Sequence, residues 1–148
     1  MILCIDIGTK LGWAYEHDGQ IESGMADFSN KRHEGGGMRY LKFKRWLDAL
    51  PVTPTEVYYE LVRRHKGTDA AHVYGGLLGT LSSWCEDNSV PYAGETVQAI
   101  KKHATGKGNA GKELMIAAAN LKGQSSQDDN EVDAWWLLDM KLREGMLG

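Results

Sequence analysis

Five acidic side chains are spaced as a hard-cation site would need them: Asp6, Glu60, Asp128, Asp129 and Asp133. Asp6 interrupts the apolar opening run "ILCIDIGTKLGWAY" (2–15), between Ile5 and Ile7 and just before Gly8. An ionised carboxylate is costly in such a run unless it is paired or ligates a metal. Glu60 comes late in "EVYYELV" (56–62), and the three Asp residues open the segment "DDNEVDAWWLL" (128–138). Oxygen ligands in a group of three or four suit Mg²⁺ or Mn²⁺. Each acid except Asp6 also has an ordinary use. Glu60 can face solvent on an edge strand, and "SSQDDNE" is a good helix start, with an Asp or Asn cap and Glu131 favourable in the first turn.

To bring these acids together the chain must place strand ends beside a helix start. Met1–Asp6 reads as a buried strand, followed by a turn at Gly8-Thr9. Gly12–Glu16 and Gln20–Phe28 read as two more strands joined at Asp18-Gly19. From Met38 to Leu50, Tyr40, Leu41, Phe43, Trp46, Leu47 and Leu50 recur at helical spacing, and Pro51 ends that helix. "EVYYELV" is β-branched and aromatic and predicts a central fourth strand. A long helix follows over Thr68–Asn88, residues 90–95 make a fifth strand, and two helices near 109–121 and 129–144 finish the chain. The order β-β-β-α-β-α-β-α-α predicts an α/β fold: a mixed five-stranded sheet with helices on both faces, in one domain spanning 1–148. If the first and fourth strands are neighbours, Asp6 and Glu60 meet at their ends, and the last helix supplies the other acids. With about 100° per residue, Asp129 lies roughly 40° and Asn130 roughly 60° from Asp133 on that helix, and Asp128 roughly 140°. Asp129 therefore shares the metal-facing side, while Asp128 suits a cap.

The 17 basic and 20 acidic residues give a net charge of −3. Thirteen of the basic residues fall in 31–45, 63–66 and 101–112, with Glu34 the one acid among them. Segregation of this kind can make a basic face on an acidic protein. Two distant cysteines, Cys4 and Cys85, make neither a bridge framework nor a metal spacing, and a reducing cytoplasm is the expected compartment. With no 18-residue apolar run and no leader-like segment, neither a membrane partner nor a targeting segment is expected.

These residues carry a resemblance to the RuvC family of Holliday junction resolvases in its compact, phage-like form, over nearly the whole length. "ILCIDIGTKLGWA" is similar to the family's opening strand, turn and second-strand glycine, and "VYYELV" resembles the strand bearing its glutamate. "ETVQAIKKHATGKGNAGKELM" resembles its strand–loop–helix segment with basic residues around a Gly-x-Gly turn, and "DDNEVDAWWLL" its closing acidic helix. The resemblance implies an RNase H-like fold and a homodimer acting on branched DNA, a four-way junction above all. Paired phosphodiester hydrolysis would then use two Mg²⁺ per site, with Mn²⁺ as substitute.

On the same basis Asp6, Glu60 and Asp133 match the family's acids, and Asp129 is the fourth candidate, since Asn130 stands where the family usually has an acid or histidine. Lys101 and Lys112 sit like the family's lysines around Gly106-Lys107-Gly108, Lys112 being counted with the catalytic set. Lys102, Lys107, Arg63, Arg64, Lys42, Lys44 and Arg45 are the further DNA-binding candidates. Val73, Leu77, Leu78, Leu81 and Trp84 of the long helix are dimer-interface or core candidates. The chain departs from the family after Glu60: it reads Leu61, Val62, Arg63, Arg64, His65 where bacterial relatives place an aromatic. Actin-like ATPases and sugar kinases share the Asp-x-Gly-Thr turn, yet need two lobes and usually more than twice this length, so no small-molecule substrate is expected. An RNase H-like nuclease acting on flaps, RNA–DNA hybrids or RNA is the alternative function. A non-catalytic DNA-binding module would need no acid cluster.

Overall fold

The computed structural model describes residues 1–147, with side chains through residue 145. Three strands open it: β1 (Ile2–Asp6), β2 (Lys10–His17) and β3 (Gln20–Asp27). Asp18 and Gly19 both take positive φ, the two-residue turn whose twist suits an antiparallel hairpin. Helix α1 (Met38–Asp48) leads to β4 (Glu56–Leu61), and α2 (Thr68–Asp87) to β5 (Tyr92–Thr96). Helices α3 (Val97–Thr105), α4 (Lys112–Leu121) and α5 (Asp129–Leu147) follow. The sheet order is β3-β2-β1-β4-β5, with β1–β2 and β2–β3 antiparallel and β1–β4 and β4–β5 parallel. This is the expected mixed sheet.

The alternation of side chains along β1 and β4 sorts the helices into two layers. Leu3, Ile5, Val57 and Tyr59 face α1 and α2, in a core with Phe43, Leu47, Leu77 and Leu81. Cys4, Ala14 and Tyr58 face the other way, against Ile100, Met115, Val132, Trp136 and Leu137 of α3, α4 and α5. Asp6 and Glu60, two residues beyond Cys4 and Tyr58, therefore point to the α5 side.

Helix α3 corrects the expected loop between the fifth strand and the next helix. Its ends carry clear signals: the Thr96 hydroxyl accepts from the Ala99 N–H at 3.2 Å, and Gly106 closes it at φ 81° with its N–H on the Lys102 carbonyl. Cap and stop outweigh the middling helix propensity of "VQAIKKHAT" once Ile100 is buried. Of the interface candidates on α2, Leu77, Leu81 and Trp84 belong to this chain's own core, and Val73 and Leu78 pack against it. Among the described residues no helix is long and apolar enough to cross a membrane.

Candidate metal centre

Parallel pairing of Ile5 with Tyr59 sets the following residues, Asp6 and Glu60, side by side at the carboxyl ends of β1 and β4. Helix α5 crosses that end and brings in Asp133 from its second turn. One carboxylate oxygen from each of Asp6, Glu60 and Asp133 lies within 4.8 Å of the others, and all three residues are half-buried. Their pKa values follow from this crowding. Burial pushes Asp6 well above its usual range, and the charges of Glu60 and Asp133 add to the rise. Burial also raises Glu60, against the hydrogen bond from Asp6 and the Lys101 charge. Asp133 is pushed up to about 7 by burial, then by Glu60 and Asp129, with Lys101 and Lys112 opposing. Three hard oxygen donors that repel one another fit a divalent cation, which would relieve the repulsion.

Asp128 and Asp129 have different partners at the start of α5. Asp128 caps α5, its Oδ1 accepting from the Glu131 N–H at 2.9 Å. Asp129, in the first turn, pairs with Lys112 at 3.2 Å and stands just outside the cluster of three. For the phosphodiester hydrolysis that the resemblance implies, neutralising Asp129 with Asn is expected to slow cleavage by at least about a hundredfold, roughly 2.7 kcal/mol of barrier. Asp128→Asn, which keeps a good cap, should cost under about tenfold. Rates of both variants on one substrate check the ranking, and the reverse order would make Asp128 the ligand.

Several residues to which the sequence assigned no part in the centre hold it in place. Gly12 pairs with Asp6, and a methyl group there would fall 1.8 Å from the Asn130 carbonyl oxygen, so α5 rests directly on the β2 backbone. The Glu131 carboxylate accepts from Ser23 at 2.6 Å and from Ser126 at 2.8 Å, and Gln124 donates to Ser23 at 2.8 Å. This network ties the start of α5 to β3. Glu95, opposite Glu60 in the sheet, is kept out of the cluster by Lys141 at 2.9 Å.

Tyr74 of α2, buried in the core, donates its hydroxyl to the Glu60 carbonyl at 3.0 Å and accepts from the Val62 N–H at 3.1 Å. In the sequence it looks like one more core aromatic. Tyr74→Phe takes one hydrogen-bond partner from each of two backbone groups beside Glu60, a cost of about 1–3 kcal/mol where a group is left unsatisfied. The expected result is a metal affinity lowered several-fold in a folded protein. An unchanged metal affinity would remove Tyr74 from the positioning of Glu60.

The basic candidates divide by location. Lys101 and Lys112 act on the acid cluster directly. Arg63 and Arg64 line a cavity of about 330 Å³ with Leu61, Val62, Val97 and Gln98, at the ends of β4 and β5. Lys102 lies on α3 and Lys107 in the turn that follows it. Lys42, Lys44 and Arg45 sit on α1, in the layer across the sheet from the carboxylates. Lys42 is bonded to Glu34 at 2.7 Å, and Lys44 lines a groove between α1 and α2 that also holds Asp87. The thirteen clustered cations therefore do not form one face.

A pH dependence follows from the raised carboxyls. Below about pH 7 the folded, metal-free protein keeps protons that an unfolded Asp releases near pH 3.9, so stability falls as pH rises through that window. Asp27, Glu34 and Asp139, held low by hydrogen bonds and nearby cations, titrate below it. In EDTA, Tm at pH 8 is expected to lie below Tm at pH 5, with Mg²⁺ or Mn²⁺ narrowing the gap. A Tm that rises with pH in EDTA would contradict the crowding.

No family model matches the chain, and no curated protein matches it. Solved structures do. The structure of Thermus thermophilus RuvC in complex with a Holliday junction substrate aligns with a TM-score of 0.77 at 19% identity, over 97% of this chain and 95% of that one. Another Thermus thermophilus RuvC structure aligns with a TM-score of 0.70 at 20% identity, over 97% and 96%. The chain has the RuvC fold, with a cluster of three carboxylates at the carboxyl ends of β1 and β4.

Proposed function

We propose that the chain is a metal-dependent, structure-specific DNA endonuclease that resolves four-way Holliday junctions by paired phosphodiester hydrolysis. The observation that carries this reading is the convergence of Asp6, Glu60 and Asp133 within 4.8 Å, on a fold shared with a RuvC solved on such a junction. Asp6, Glu60 and Asp133 would hold two Mg²⁺, or Mn²⁺, with Asp129 completing the set. Bound there, the metal pair supplies the Lewis acidity that makes a water nucleophilic and offsets charge on the leaving oxygen.

The chain's own groups do the rest. Asp6, at the end of β1 beside Glu60 of β4 and Asp133 of α5, would help to hold the metals at the joint end of the two strands. Lys101 and Lys112 hold phosphate oxygens against a centre that would otherwise repel DNA, and Arg63 and Arg64 lie where the strand passes beyond β4. Two symmetric cuts call for two centres, so we infer a homodimer whose twofold axis matches that of the junction. We propose a cytoplasmic site of action, in keeping with a DNA substrate.

The test is a panel of four-way, three-way, flap, duplex and RNA–DNA hybrid substrates with purified protein and Mg²⁺. Paired nicks in the four-way junction, absent in EDTA, are expected. Cutting confined to flaps or hybrids would move the chain to another nuclease specificity. No cutting of any substrate in Mg²⁺ or Mn²⁺ would remove the nuclease reading.

A further inference from the structure

A pocket of about 220 Å³ opens between α3, the end of α4 and α5, lined by His103, Ala104, Lys122, Trp136, Asp139 and Arg143. None of these residues takes part in the carboxylate centre. Basic groups from three segments converge there on one acid. His103 Nε2 lies 2.8 Å from Asp139 Oδ2, Lys122 Nζ lies 3.4 Å from both carboxylate oxygens, and Arg143 donates through Nε at 3.2 Å. Lys122 Nζ also sits 5.5 Å above the Trp136 ring, which floors the pocket.

A structural ion pair needs one cation for one carboxylate, and here Lys122 and Arg143 bring two full charges, with His103 beside them. The surplus is positive. Arg143 meets Asp139 through Nε, and among the described residues its two Nη groups have no partner, on a side chain that is 55% exposed. A guanidinium anchored by one edge offers the other for paired bonds to an anion such as phosphate. The cost of ordering these long side chains is already met by Asp139, which is what a preorganised site requires.

The location suits a polyanion that also reaches the carboxylates. Asp139 is six residues past Asp133 on α5, about 9 Å along the helix and about 120° around it, so a backbone passing the carboxylates meets the pocket on the flank of α5 that faces α3 and α4, and a duplex strand carries a phosphate about every 3.4 Å of its axis. The flanking elements repeat the arrangement. Helix α3 offers Lys101 to the carboxylate centre and His103 to the pocket, while α4 begins with Lys112 at Asp129 and ends beside Lys122 at Asp139. We propose that the pocket of Lys122, Arg143 and His103 is a second phosphate site, which grips the DNA backbone a few nucleotides from the scissile position. This deepens the nuclease reading and rests on it.

The experiment titrates a four-way junction with the full chain in Ca²⁺ across a series of salt concentrations, comparing wild type with Lys122→Gln/Arg143→Gln. Each phosphate contact contributes about 0.9 to the slope of log affinity against log salt. The double variant is expected to lose between about 1 and 2 from the slope and about tenfold in affinity at 0.1 M salt. Were it not to fold, as judged by circular dichroism, Arg143→Gln alone should remove about 1. An unchanged slope in a folded variant overturns the site. The two ideas fail separately: a wild type that cuts nothing in Mg²⁺ but shows the slope change loses the nuclease reading and keeps the phosphate site. One that cuts the junction while the variant's slope stays put loses the site alone.

Discussion

If the chain is the junction nuclease proposed, Asp6→Asn, Glu60→Gln and Asp133→Asn are each expected to lower junction cleavage by at least about a thousandfold, roughly 4 kcal/mol of barrier, while leaving binding of the junction in Ca²⁺ close to normal. The physical reason is that an amide of the same shape offers a hard dication one neutral oxygen in place of a charged one. On the proposed reading DNA affinity would come instead from cations outside the cluster, of which Lys101 and Lys112 are near enough to act on the carboxylates. A second consequence separates a metal centre from a structural acid cluster. In the metal-free protein the three carboxyls raise one another's proton affinity, so removing one charge relieves repulsion. Each variant should therefore melt higher than wild type in EDTA, by about 2–4 °C for every kcal/mol relieved, and should gain less from added Mg²⁺. Cleavage at near wild-type rate by any one variant would take that residue out of the centre. A lower Tm in EDTA for all three would mean that the acids are paired for stability rather than poised for metal.

Gly12→Ala is expected to be nearly as damaging, although Gly12 carries no chemistry. The added methyl would meet the backbone of α5 at 1.8 Å from the Asn130 oxygen, 2.1 Å from its carbonyl carbon and 2.7 Å from the Glu131 nitrogen. Backbone cannot swing aside as a side chain can, so the first turn of α5 must lift off the sheet by more than an ångström. Asp129 and Asp133 ride on that turn and the next, and their distance from Asp6 and Glu60 grows with it. Displacement of about 1 Å at a catalytic centre can cost about a hundredfold. A loss of cleavage of that order is expected, with weaker Tb³⁺ binding, in a protein that keeps its helical circular dichroism. The Glu131 clamp on Ser23 and Ser126 would be strained in the same movement, which lowers Tm as well. Gly12→Ala protein with wild-type Tb³⁺ affinity and rate would show that the approach of α5 to β2 does not set the geometry of the centre.

Much of this was open to reading along the chain, for a definite reason. Local physics decides the strands β1 and β4, the hairpin at Asp18-Gly19 and the cap at Asp128, because each depends on residues close in sequence: alternation, a turn pair, a side chain reaching the third residue on. Asp6 announced itself because an acid in an apolar strand is expensive. Once β1 and β4 were taken as neighbours, the meeting of Asp6 and Glu60 followed from strand direction alone.

What the sequence could not decide was which distant groups would find each other. The basic stretch on α1 looked continuous with the others in charge, yet sheet alternation puts α1 on the far layer, and Lys42 is taken up by Glu34. Glu95 looked like an unremarked strand end, until parallel pairing set it opposite Glu60 and α5 brought Lys141 to neutralise it. Leu77, Leu81 and Trp84 had the pattern of either an interface or a core, since burial against one's own sheet and against a second copy use the same apolar spacing. Tyr74 and Ser23 carry no signature of their own, and nothing local tells that Gly12 and Glu131 seat α5. Their role is a contact that only folding makes: Gly12 with Asn130 and Ser23 with Glu131 meet across 118 and 108 positions of chain, and Tyr74 reaches the Glu60 carbonyl, 14 positions away, because α2 folds back onto β4.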